Sequence, residues 1–208
     1  SSDVCSSDLC DGVVQAVPDR AWMSVSAESR APTPREAQRR NADAMKPVLD
    51  RLRTAGVPAD AIRTSAYDLQ PEFDFANNRR TLRGYVARNV VTVRIDTVDR
   101  AGELIDVAVT AGATAVDNIR FDVKDRARLE REALRLAVVD ARARADAAAA
   151  GAGRIVDRVV RIDEAGSAGP PMPVATFARV GAAADGAPPI AAGELEIRAH
   201  VTLTVSIK

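Results

Sequence analysis

Leu82-Arg83-Gly84-Tyr85-Val86-Ala87-Arg88-Asn89-Val90-Val91-Thr92-Val93-Arg94-Ile95 is the stretch on which the fold class turns. Tyr85, Ala87, Val91, Val93 and Ile95 alternate with Arg88, Thr92 and Arg94, the period of a strand with one face buried and the other in water. Upstream, residues 62–73 read as another strand, with Tyr67 and Leu69 on one face. Asn77-Asn78 turns the chain between the two because asparagine tolerates positive φ, so the pair is antiparallel. Further upstream, Thr33-Pro34-Arg35-Glu36 is a capping box with proline at the first helical position. The helix it opens places Ala37, Asn41, Ala44, Val48 and Leu52 on one face and stops at Gly56. Pro47 lies inside it and predicts a kink or break. Ahead of that helix, Met23, Val25 and Ala27 alternate with Trp22, Ser24 and Ser26 as a strand over 21–29. Behind the hairpin, a short helix over about 100–111 presents Leu104, Ile105, Ala108 and Val109, and Ile119, Phe121 and Val123 mark a fourth strand. The order βαββαβ is that of the ferredoxin-like split-βαβ unit.

A third helix follows over about 125–150, capped by Asp125, with Ala133, Ala137, Ala141, Ala145 and Ala149 at strict four-residue spacing. Such a row drifts about 40° per step at 3.6 residues per turn, so it suits close packing on a twisted surface. Gly151-Ala152-Gly153 reads as a helix stop, because it follows a helix and precedes a strand, the reverse of a phosphate-binding loop. A strand over 155–162 leads into a Gly/Ala/Pro-rich stretch, and the closing strand sets Leu195, Ile197, Ala199, Val201, Leu203, Val205 and Ile207 against Glu194, Glu196, Arg198, His200, Thr202, Thr204 and Ser206. The expected fold is therefore α+β: a ferredoxin-like core followed by a long helix and two further strands, in mainly antiparallel sheet. Of 208 residues, 40 are alanine and 49 are Leu, Ile, Val or Phe, while aromatics make 3%. The core should be rich in valine and thin in rings. No apolar run approaches the ~18 residues of a membrane-spanning helix, so the chain is expected not to be transmembrane.

Residues 1–9, Ser-Ser-Asp-Val-Cys-Ser-Ser-Asp-Leu, lack the basic and apolar regions of a signal peptide. As the codons AGT TCA GAC GTG TGC TCT TCC GAT CT they match a common short-read sequencing adaptor. The expectation is that this segment is an assembly artefact, that residues 10–208 form a single domain, and that any export signal belonged to sequence lost upstream of Cys10. Cys5 then falls within the artefact and leaves Cys10 alone near a frayed end. A lone thiol tells nothing of the redox compartment.

The 29 basic and 29 acidic side chains balance, which argues against binding to polyanions through bulk charge. Single-stranded RNA would need aromatics on exposed strands, and these are lacking, so no nucleic-acid partner is expected. Arginine supplies 26 of the bases, clustered at Arg39-Arg40, Arg79-Arg80 and Arg126-Arg128-Arg131, but interleaved acids make these a solvated ionic surface. His200 is the only histidine. Glu194, Glu196, Arg198 and His200 share a strand face and could form a proton-transfer row or half a metal site, although an ordinary wet sheet face is the simpler explanation. No catalytic constellation emerges, and no cofactor is expected.

The sequence resembles the SIMPL-domain family over nearly all of residues 12–208. The resemblance is carried by the stretch 12–21, which includes Pro18-Asp19, by Ala55-Gly56-Val57, Asp60-Ala61-Ile62-Arg63-Thr64 and Tyr67-Asp68-Leu69-Gln70-Pro71. It continues through 84–93, with Gly84, Tyr85 and Asn89, then Glu132-Ala133 opening the alanine ladder, and 189–195 with Gly193. The resemblance implies an exported bacterial protein, periplasmic or at the cell surface, of the type called periplasmic immunogen or oxidative-stress defence protein, with no established catalytic residues. It makes Pro18, Asp19, Gly84, Tyr85, Asn89 and Gly193 structural: Pro18 sets the entry to the first strand, Gly84 relieves crowding and Asn89 satisfies backbone groups at a bulge. Pro47 and the missing opening half-strand depart from the family pattern.

The expected function is non-enzymatic: self-assembly as a homo-oligomer, or contact with an unidentified envelope partner, in oxidative or envelope stress. A Pro/Ala-rich arm over 168–190, with Pro170, Pro171, Met172, Pro173 and Phe177, is the candidate intersubunit contact, since loops of this length are usually functional or disordered. The alternative is a small-ligand or metal-binding periplasmic module using Arg198 and His200 or the space under the arm. Sequencing the source locus across the junction at Cys10 is expected to return codons other than the adaptor's. Recovery of the adaptor codons from genomic DNA refutes the artefact.

Overall fold

The computed structural model describes residues 3–76, 79–164, 172–174 and 192–208. In chain order the elements are β1 (Asp3–Ala16), β2 (Arg20–Ala31), α1 (Pro34–Thr54), β3 (Ile62–Ala76), β4 (Arg79–Ile95), α2 (Ala101–Thr110), β5 (Ala115–Asp122), α3 (Arg126–Gly151), β6 (Val156–Glu164), β7 (Met172–Val174) and β8 (Glu194–Ile207). They fall into two compact units, divided between Pro18 and Asp19 and again between Phe121 and Asp122.

The unit over Asp19–Phe121 contains the expected βαββαβ order, with its strands arranged β3-β4-β2-β5. β2 and β4 pair antiparallel from Ala21 opposite Ile95 to Ala31 opposite Tyr85, and β3 pairs antiparallel with β4 from Ile62 opposite Val93 to Ala76 opposite Arg79. The intervening Asn77-Asn78 turn lies outside the described residues. Met23, Val25, Ala27, Val91 and Val93 are buried and form the core with Met45, Val48 and Leu52 of α1 and Leu104 and Ala108 of α2. The Thr33 hydroxyl accepts the Glu36 amide at 3.3 Å as expected, while the Glu36 carboxylate pairs with Arg40 one turn on. α1 runs unbroken through Pro47. Met45, Val48 and Leu52 on either side of the proline are all buried, and this packing outweighs the missing amide bond. The same packing corrects the expected face: Met45, long enough to reach the core, is buried, while Ala44 is only partly covered. At the helix end Gly56, at φ +90°, donates to Arg53 O and Val57 donates to Leu52 O, the two bonds of a Schellman stop.

The other unit joins β1, α3, β6, β7 and β8. Its antiparallel sheet has the order β1-β8-β6, with β7 also paired to β8. α3 begins at Asp125, whose carboxylate accepts the Arg128 amide at 3.2 Å, and all five ladder alanines are buried as expected. Its end is also the expected stop: Gly153, at φ +69°, donates to Ala150 O and Arg154 donates to Ala149 O. The helix packs on β1 and β8, and Ala137, Ala141 and Ala145 form a core with Cys10, Val201, Leu203 and Val205. At Gly12 the approach is so close that a Cβ would sit 1.9 Å from Ala133 O and 2.4 Å from Ala137 N.

β1 is an addition to the expected element order, which began at β2. Its alternation is inverted in hydropathy. Cys10 and Gly12 are buried beneath α3, while Val13 is 38% exposed and Val17, just beyond the strand, is 74% exposed. A strand whose buried face must be small, because a helix lies directly on it, gives no apolar stripe to read. Cys10, expected near a frayed end, instead pairs with Val201 and is fully buried. Replacing Gly12 with alanine is expected to destabilise by about 3 kcal/mol or more, because backbone on both sides must give way. Gly151→Ala, where nothing lies within 4 Å of the new methyl, should be neutral or stabilising by up to about 1 kcal/mol. Urea unfolding of the two variants checks the contrast.

Candidate functional site

β8 is the strand on which sequence reasoning placed a possible site, and its alternation holds: Leu195, Ile197, Ala199, Val201, Leu203 and Val205 are buried, while Glu194, Glu196, Arg198, His200, Thr202 and Thr204 lie on the wetter face. The departures lie at the end of the strand: Ser206, expected on the wet face, is buried, and Ile207, expected on the buried face, is only partly covered. In register, Asp11 stands opposite His200 and brings its Oδ1 to 2.6 Å from the imidazole Nδ1. Arg198 Nε donates to Glu196 Oε2 at 3.0 Å on the same strand. This is an imidazole–carboxylate dyad beside a guanidinium–carboxylate pair, all partly in water. Thr202 is the next hydroxyl along that face, and no hydrogen bond among the described residues joins it to His200. The Cys10 thiol, one position from Asp11, points to the opposite face and is buried beneath α3. Among the described residues no hydrogen bond joins the dyad to a hydroxyl or thiol, and no three His, Cys, Asp or Glu side chains gather to hold a metal.

The motif residues occupy turns, crowded backbone and strand pairings. Pro18 is buried and Asp19 exposed at the division between the two units. Gly84 is buried in β4, where a Cβ would lie 2.7 Å from Ala31 O. Tyr85 packs against Ala31, Ala37 and Ala87. Asn89 faces Ala27 across one strand and Tyr67 across the other, next to the irregularity at Ser65, whose hydroxyl donates to Val90 O at 3.2 Å. The Asn89 Oδ1 is buried and accepts no hydrogen bond among the described residues. Gly193 has φ +61° and leads into β8. Of the arm, Met172 and Pro173 belong to β7 and pair with Glu196 and Leu195, whereas Pro170, Pro171 and Phe177 lie outside the described residues.

Three features were not read as sites from sequence. Asn41, on the apolar face of α1, is fully buried and its Nδ2 donates to Ala27 O at 2.7 Å and Ala87 O at 3.0 Å, tying the helix to β2 and β4. A polar residue at a buried helical position was the available signal. The β3–β4 hairpin exposes Tyr67 (48%), Leu69 (36%), Phe75 (79%) and Leu82 (48%), with the Arg80 guanidinium 3.6 Å over the Phe73 ring. Tyr67, Leu69, Phe73 and Phe75 share the strand's odd-numbered face, and Leu82 joins it opposite Phe73. Alternation placed Tyr67 and Leu69 on one face but did not show that the face is open. Third, a charged corner joins Arg20 to Asp96 at 2.8 Å and Arg94 to both Asp96 and Asp60 at 3.0 Å.

The match to known proteins follows this architecture. The chain belongs to the SIMPL family, described as a protein of unknown function (DUF541), whose profile spans residues 11–205. It is 32% identical over 206 residues to the 26 kDa periplasmic immunogenic protein of Brucella abortus (strain S19), covering 95% of this chain and 82% of that protein. The protein of the same name from Brucella melitensis biotype 1 is 31% identical over the same length. The uncharacterized protein YggE of Escherichia coli (strain K12) is 25% identical over 121 residues, 55% of this chain and 49% of its own length.

At the charged corner, partial burial pushes the Asp96 carboxyl up, but hydrogen bonds from Arg94 and Arg20 and their charges prevail and hold it below the ordinary range. A depressed folded value stabilises above the unfolded carboxylate range, near pH 4, and that contribution is lost as pH falls through the folded value. Asp96→Asn is therefore expected to unfold more easily than the parent at pH 7 and to lose less of its melting temperature on acidification. Thermal melts across that range read the difference.

Proposed function

We propose that the protein is a non-enzymatic component of the bacterial envelope, periplasmic or at the cell surface, that works by self-assembly or by contact with other envelope proteins. The observation that carries this reading is the open apolar face of the β3–β4 hairpin. Four large side chains from two paired strands stand 36% to 79% exposed on it, and β3 is an edge strand whose outer backbone groups offer a further pairing surface. A two-stranded projection of this length is stabilised when its apolar face is covered. The names of the Brucella relatives support the periplasmic location, and no helix among the described residues is long and apolar enough to cross a membrane.

A role in oxidative or envelope stress is proposed as an indirect one. The Cys10 thiol is fully buried, and the chain has three methionines, a poor endowment for direct scavenging of oxidants. Residues 168–190 remain the proposed second contact region. Residues 1–9 are proposed to be adaptor-coded. β1 pairs with β8 without interruption from Cys10 to Ala16 and, across a register shift between Ser7 and Cys10, again from Asp3 to Ser7, so the proposal rests on the codon match alone. The second reading, a ligand or metal module on the wet face of β8, is favoured by the Asp11–His200 contact.

Light scattering after size exclusion, on residues 10–208 with the natural upstream strand restored, is expected to give a mass several times that of the 22.0 kDa chain, stable to dilution. Leu69→Glu with Phe75→Glu should shift it to monomer while leaving the circular dichroism unchanged. A monomeric parent protein overturns self-assembly. An oligomer insensitive to both substitutions and to deletion of 168–190 overturns the proposed contact surfaces.

A further inference from the structure

We infer that the outer end of the β3–β4 hairpin docks on an anionic phospholipid bilayer, with Phe73, Phe75 and Leu82 entering the headgroup layer and Arg79 and Arg80 on the phosphates. The inference rests on the reading of the protein as an envelope component and names a partner for the tip of the hairpin. Tyr67 and Leu69, closer to its base, remain with protein contact.

The few rings of the chain are concentrated here. Of seven aromatic residues, Tyr67, Phe73, Phe75 and Tyr85 belong to β3 and β4. Tyr85 packs against Ala31, Ala37 and Ala87 beside the opening turn of α1. Toward the tip, no residue over 66–75 or 79–83 is buried. Phe73 stands opposite Leu82 and Phe75 opposite Arg80, so all four project from one face. Core packing does not explain rings in this position, because Phe75 is 79% exposed. Large apolar side chains gathered on an open projection mark a contact surface.

The charge of the tip selects what it contacts. Of three arginine clusters in the sequence, two are balanced by acids: Arg40 pairs with Glu36, and Arg126 and Arg128 pair with Glu130 and Asp125. Arg79 and Arg80 form no ion pair among the described residues. Arg80 lies 3.6 Å over the Phe73 ring, a contact that leaves its charge without a counter-ion. Arg79, one residue away, projects to the opposite face, so cations flank the rings on both sides of the hairpin. The nearby acids are already engaged, Asp74 with Arg83 at 3.7 Å and Glu72 with Arg30 at 3.2 Å. The apolar face has one charge at the tip, Arg80, and no carboxylate, so a second copy laid tip to tip would set arginine against arginine. The complement is a surface that presents anions and an apolar layer together. An anionic bilayer does so: rings and leucine enter the headgroup boundary while the guanidinium heads stay with phosphate.

Sedimentation of the full chain with sucrose-loaded vesicles tests the contact. Vesicles of phosphatidylcholine with about one third phosphatidylglycerol are expected to bring the protein down, and pure phosphatidylcholine to leave it in solution. Added salt should weaken the binding by screening the arginines. Arg79→Gln with Arg80→Gln should lower the partition coefficient about tenfold or more, and Phe75→Ser about tenfold. Circular dichroism checks that both variants fold. No sedimentation with anionic vesicles overturns the inference, as does equal sedimentation with neutral ones. Parental binding in either folded variant overturns it too. Failure of self-assembly is distinguishable: a monomeric protein that binds anionic vesicles through the tip upholds the lipid contact alone. An oligomer that ignores vesicles and is dissolved by Phe75→Ser assigns the tip to protein and overturns the lipid contact.

Discussion

Backbone lies on backbone where α3 crosses β1, and the unit containing both ends of the described chain depends on that contact. A helix normally rides on a sheet through a layer of branched side chains. Here the layer has been removed, because Gly12 leaves room for less than a methyl group beneath Ala133 and Ala137. The ladder of five buried alanines is the helix's half of the same condition. Little apolar area is buried per residue in such a contact, so its stability comes from closeness: many atoms at van der Waals distance rather than a few large ones. The abundance of alanine in the sequence is, over this segment, a steric requirement.

The βαββαβ unit solves the opposite problem by ordinary means. Met23, Met45, Leu52, Val91 and Leu104 fill a core of normal side chains, and Asn41 is admitted among them with its Nδ2 donating to carbonyls on two neighbouring strands, while its buried Oδ1 accepts no hydrogen bond among the described residues. The two donated bonds offset part of the cost of burying the amide. The result fixes α1 against β2 and β4 at one register, a constraint that a leucine at the same position would leave to shape alone.

The difference between the units explains how far the sequence could be read. Tyr85 to Ile95, Met23 to Ala27 and Leu195 to Val205 alternate because their buried faces need bulk, and those strands were legible, as was the capping of α1 and α3. Gly12 and Cys10 were not, since a face that must be small looks polar or neutral, and Val13 and Val17 point outward. At Pro47 the local penalty was visible, but the tertiary packing of Met45, Val48 and Leu52 that keeps α1 continuous through it was not. The exposure of Tyr67 and Phe75 depends on what lies over a hairpin, which alternation does not encode. The Asp11–His200 contact joins residues far apart in the chain and required the β1–β8 register.

The pairing of β1 with β8 has a kinetic side. The ferredoxin-like unit is inserted between the two strands that hydrogen-bond to each other, so it can close on contacts within its own span while the other unit waits. β1 pairs with β8 across a separation of 189 residues at Asp11 and His200. Non-local pairing of this kind is slow, and it leaves β1 and the alanine face of α3 uncovered until the two strands meet. The unit that holds α3 therefore completes its fold only once β8 is available to β1.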